Sequence, residues 1–117
     1  MRKIYQGEGT ELCGQAVVAT ISGVSLDRAI EVIGHRKGTN TKELIAAFSV
    51  LGVKAAPRLK RISKKMPILP KTCVLSMYSK SRDLGHWGAI IDGEFYEAGF
   101  VDRLGDFEIT SYLEIYS

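Results

Sequence analysis

His86-Trp87-Gly88-Ala89-Ile90-Ile91-Asp92-Gly93-Glu94-Phe95-Tyr96-Glu97 reads as two short strands around a two-residue turn. Asp-Gly between β-branched and aromatic residues is the strongest short-range hairpin signal, because both central residues of such a turn take positive φ. With Asp92-Gly93 as the turn, Ile91 faces Glu94, Gly88 faces Glu97 and His86 faces Gly99. Residues directly opposite share a sheet face, as do residues two apart on one strand. Glu97 then lies diagonally from His86 at ~5.5–8 Å, within reach of longer side chains. A slip of one residue turns Glu97 to the opposite face. Asp92, at the turn tip, is ~20 Å from His86 along an extended strand and out of reach.

Upstream of this hairpin, Thr72–Met77 alternates as a second strand, joined to it by the polar stretch Tyr78–Gly85. Val53–Leu59 is a further strand, placed at a sheet edge by Pro57. Ser63–Lys71, with Pro67 and Pro70, is a loop. Downstream, Phe107–Thr110 and Tyr112–Tyr116 are weaker strands, the second with a short terminal helix as the alternative.

Before Val53 the period changes from two to 3.6. Residues 13–22 are apolar nearly all round, the mark of a buried helix. Ser25 caps a second helix whose stripe is Leu26, Ala29, Ile30 and Ile33, and Gly34 stops it. Asn40 and Glu43 have capping-box spacing for a third, which turns Leu44, Ile45, Phe48 and Leu51 inward and ends at Gly52. Helices first and antiparallel strands afterwards is the α+β pattern.

The chain has 117 residues, 45% hydrophobic and 25% charged, which suits one globular domain over 1–117. No apolar run approaches the ~20 residues that span a bilayer, and the N-terminus lacks a signal-peptide core, so no membrane role and a cytoplasmic location are expected. The two cysteines, Cys13 and Cys73, and the two histidines, His35 and His86, lack zinc-site spacing, so neither a metal nor another cofactor is expected. A reducing compartment argues against a disulfide.

Charge is uneven. Between Glu43 and Asp83 there is no acidic residue, while nine Lys and Arg, from Lys54 to Arg82, fall in that stretch. Either the basic middle lies against the acidic C-terminal part, or residues 54–71 face an acidic protein partner. The basic run has no interleaved aromatics or recognised motif, so nucleic acid is not an expected partner.

Cys13 heads the buried helix. A thiolate is the reactive form of cysteine, and the first turn of a helix, with an imidazolium nearby, favours it. Gly14 is expected to let a substrate backbone approach. His86 on a rigid strand can hold the proton, and Glu97 on its face can fix its tautomer. A developing oxyanion needs donors, for which the Cys13 backbone N–H and the side-chain amide of Gln6 are candidates. Gln15, two residues past the thiol inside the helix, should point away. The bland alternatives are a core cysteine, a strand-end histidine and a surface glutamate. His35 is expected at a helix-end surface, Cys73 in the core, and Trp87 as a packing residue facing away from His86.

Gln6, Cys13-Gly14 with its apolar helix, the Gly23–Leu26 and Gly38–Leu44 helix starts, Leu51-Gly52-Val53 and His86–Ile91 together resemble the C39 and C39-like cysteine peptidases. The resemblance covers residues 6–100. It implies a papain-like fold with N-terminal helices packed on an antiparallel sheet, Cys13 as nucleophile, His86 as general base and then acid, Gln6 as oxyanion donor and a peptide or protein as substrate. The chain departs from the family pattern in having Gly14-Gln15 rather than Gly-Pro, a glutamine seven rather than six positions before the cysteine, and Glu97-Ala98 in place of Asp-Pro. A catalytically degenerate binding module or inhibitor, and a thiol acyltransferase or deamidase on the same scaffold, are the alternatives.

Overall fold

In the three helices, α1 (Cys13–Ser22), α2 (Leu26–Ile33) and α3 (Thr41–Val50), side-chain capping differs. Ser25 caps α2 by accepting the Arg28 N–H, and Asn40 and Glu43 form a complete capping box on α3. These caps satisfy backbone donors that a helix start otherwise leaves open. The computed structural model describes residues 12–62, 69–80, 84–97 and 108–116, with Leu84 and Glu97 described by backbone alone.

The strands are β1 (Lys54–Ala55), β2 (Lys60–Arg61), β3 (Cys73–Ser79), β4 (Leu84–Ile91), β5 (Glu94–Glu97) and β6 (Glu108–Tyr116). Every pairing among the described residues is antiparallel. The sheet order is β1-β6-β3-β4-β5, with β2 also paired to β6. Three helices therefore precede and pack on an antiparallel sheet, the α+β arrangement expected.

Two strand expectations need correction. Val53–Leu59 is not one strand, because the chain leaves the sheet around Pro57 and pairs again only at Lys60. Proline has no N–H to donate and so interrupts a ladder. The two weak C-terminal pieces are one nine-residue strand, β6, which takes β3 on one side and both β1 and β2 on the other. No terminal helix forms there.

The main core lies between helices and sheet. From α1 it takes Ala16, Val17, Val18 and Ala19, from α3 Leu44, Ala47 and Phe48, and from the sheet Val74, Ala89, Tyr96 and Leu113. Thr20 donates to the Tyr96 hydroxyl at 3.0 Å, tying α1 to β5. The opposite sheet face carries a smaller cluster of Cys73, Leu75, Met77 and Tyr112, covered in part by Ile62 and Leu69. The hairpin register is the expected one, with Ile91 opposite Glu94 and Gly88 opposite Glu97. Asp92 (φ 51°) and Gly93 (φ 84°) both sit in the left-handed region such a turn requires. No helix among the described residues is long and apolar enough to cross a membrane.

Candidate functional site around the N-terminus of helix α1

Cys13 is the first residue of α1. Leu12 stands at the cap position and has no side-chain acceptor to offer, and the first turn has no acidic residue. The opening N–H groups are thus without the side-chain cap that α2 and α3 possess. The thiol is free and half-buried.

Gly14 is buried, and a Cβ built there would lie 1.9 Å from Thr39 Oγ1. The expected role of Gly14, clearing a path for substrate, is corrected by this contact. The missing side chain makes room for the α2–α3 turn, which closes against the start of α1.

That turn is held by a connected set of hydrogen bonds. Gln15, fully buried, donates through Nε2 to the carbonyls of His35 at 3.1 Å and Lys37 at 2.9 Å. Its amide points into the turn and away from the thiol. The His35 ring takes the Lys37 N–H on Nδ1 at 3.1 Å and bonds the Glu43 carboxylate through Nε2. With Nδ1 accepting, the ring proton sits on Nε2 and is donated to Glu43. The other Glu43 oxygen accepts the Asn40 N–H at 3.1 Å. The bond from His35 is the main cause holding the Glu43 carboxyl below the usual range, and the Asn40 N–H adds to it. His35 is therefore no mere surface residue: it is half-buried and joins the turn to α3.

Trp87 joins β4 to the same turn, donating from Nε1 to the Thr39 carbonyl at 3.2 Å. It packs on the main core with Cys13, as do Ala89 and Ile91. Strand alternation puts His86 on the other face, opposite Met77 of the smaller cluster. Cys13 and His86 thus meet the sheet from opposite sides, and the fold does not put them on one face. They do share one end of β4, since Trp87, adjacent to His86, reaches the turn that covers Gly14. His86 is 9% exposed. Glu97 holds the register position two residues from His86 by way of Gly88, but its side chain lies outside the described residues. Gln6 lies outside them altogether.

Cys73 is fully buried on the Met77 face, and burial pushes its thiol up to about 11. It is a core residue. Among the described residues, no group of three or more His, Cys, Asp or Glu is placed to hold a metal ion.

The network of Gln15, His35 and Thr39 escaped the sequence, though one signal was present. A glutamine inside a helix that is apolar all round must find buried partners, and the fold supplies them as the carbonyls of His35 and Lys37. Comparison with known protein families and with characterised proteins finds no match, so the peptidase resemblance rests on the residues quoted above.

Proposed function

We propose that this chain is a small papain-like thiol hydrolase acting on a peptide or isopeptide bond through Cys13. The observation that carries it is the half-buried thiol at the start of α1, where the cap residue Leu12 offers no side-chain acceptor to the first turn. In the proposed reaction the Cys13 thiolate attacks the carbonyl carbon, and the C–N bond breaks as His86 gives a proton to the leaving amine. Water then hydrolyses the thioester and frees the acid and the thiol. Gln6 and the Cys13 N–H would serve the oxyanion, and Glu97 would orient His86. Alternation sets His86 on the far face, opposite Met77, so this reaction requires its ring to reach the Cys13 side of the sheet. An acyltransferase or deamidase differs only in the acceptor of the acyl group.

The test is the alkylation rate of Cys13 by iodoacetamide across a pH series, read by mass spectrometry in wild type and His86→Ala. Buried Cys73 is the internal control. A Cys13 rate that stays high in acid and falls in His86→Ala supports the hydrolase. An ordinary thiol rate indifferent to His86 removes it.

A second reading, a binding module, is favoured by the basic surface. Lys54, Arg58, Lys60, Arg61 and Lys71 are all exposed, and no ion pair among the described residues engages them. The basic strands β1 and β2 lie along β6, and among the described residues no salt bridge joins them to its Glu108 or Glu114. An acidic polypeptide is the fitting partner. Binding of a polyglutamate peptide that is lost in Lys60→Glu/Arg61→Glu and unchanged in Cys13→Ala would favour this module over the hydrolase.

A further inference from the structure

The α2–α3 turn carries polar contacts that the thiol chemistry does not use, and they converge on Thr39, which abuts Gly14, the chain neighbour of Cys13. His35 holds two partners at once, the Lys37 N–H on Nδ1 and the Glu43 carboxylate on Nε2. Buried Gln15 grips the same turn at the carbonyls of His35 and Lys37. Two residues on, Thr39 fills the space over Gly14 with Oγ1 and takes the Trp87 indole N–H on its carbonyl.

We infer that His35 is a positioning residue for the Cys13 site, setting the Thr39 wall through the Lys37 backbone and Gln15 without touching substrate. Its significance for catalysis rests on the hydrolase reading above. The contact to Lys37 exists only while Nδ1 is unprotonated. Adding a proton there sets two donors face to face and breaks that bond, while the ion pair to Glu43 strengthens. The displacement enters at Lys37 and reaches Thr39, the residue that abuts Gly14. At the far end Gln15 Oε1 and Thr39 Oγ1 are buried without a hydrogen-bond partner among the described residues, so the Thr39 side chain is held by packing alone while its carbonyl keeps the Trp87 indole N–H. The charged groups around His35 are Glu43 from α3 and the exposed Arg36 and Lys37 of its own turn; α1 presents the neutral Gln15 amide.

Trp87 is the single tryptophan of the chain, so its emission reports the turn directly. The experiment records Trp87 emission and the Cys13 alkylation rate on the full chain over roughly pH 5–8, the range in which histidines titrate. Wild type, His35→Gln and Glu43→Gln are compared, with far-UV circular dichroism to confirm folding. The expected result is a wild-type emission transition that is absent in His35→Gln and altered in Glu43→Gln, where the partner of His35 Nε2 is changed. The ratio of wild-type to His35→Gln alkylation rates should change by about threefold or more across that range. Superposable profiles for wild type and His35→Gln overturn the proposal. So does a transition that survives His35→Gln, since it then does not arise from His35. If His35→Gln does not fold, Glu43→Gln decides alone: an unaltered transition overturns. Failure of the hydrolase shows separately, as a Cys13 rate indifferent to His86→Ala, and leaves the Trp87 comparison intact.

Discussion

At the scale of single residues, Gly14 makes the sharpest demand. A methyl group there meets Thr39 Oγ1 at 1.9 Å, and Thr39 Cβ and Cγ2 stand at 3.1 and 3.2 Å, so rotating Thr39 gives little relief. Gly14→Ala should cost about 1–3 kcal/mol, the usual range for overpacking. Adding Thr39→Ala should recover part of that loss, and urea melts of the two single variants and the double would show the coupling. Cys73 offers a pH test. Its folded value is raised to about 11 by burial, from an ordinary thiol value of 9.0. The unfolded chain therefore releases this proton first, and stability present below the free-thiol value is lost as pH rises through the folded one. The decline should be on the order of 2–3 kcal/mol and should flatten in Cys73→Ala, measured by urea melts on both sides of the window.

Among the elements, α3 depends most visibly on its first turn. Removing the Asn40 side chain leaves the Glu43 N–H without its acceptor, and Asn40→Ala should cost about 1 kcal/mol in thermal or chemical melts. Glu43 titrates below the ordinary carboxyl range, chiefly because His35 donates to it. Its contribution is thus present above the free-carboxyl value of about 4.3 and lost as pH falls through the lower folded one. Helices and hairpin were legible because their signals are local: Ser25, Asn40 with Glu43, and Asp92-Gly93 each act within three residues. β6 was not legible as one strand, because Ser111 and Thr110 interrupt its apolar alternation and its status comes from three distant partners. The β3–β6 ladder also shifts register between Ser76 and Met77, which no short window of sequence reveals.

Over the whole molecule, the same contrast applies to the site. Cys13 stands at a helix start as its sequence context implied, and the pleat fixed the faces of His86 and Trp87 relative to each other. Which of those two faces the helices cover is a property of packing, and it is Trp87 that shares a side with Cys13. The contacts of Thr39 with Gly14 and of His35 with Glu43 likewise need the tertiary turn before they exist. β6 has one more consequence, and it concerns manufacture. The last of the described strands lies inside the sheet, with partners on both flanks. A nascent chain halted at residue 107 holds all three helices and the hairpin, yet β1 and β2 have nothing to pair with and β3 has one bare edge. Such a stalled chain should be digested by protease on the ribosome, and release of residues 108–116 should bring protection to the sheet in a single step.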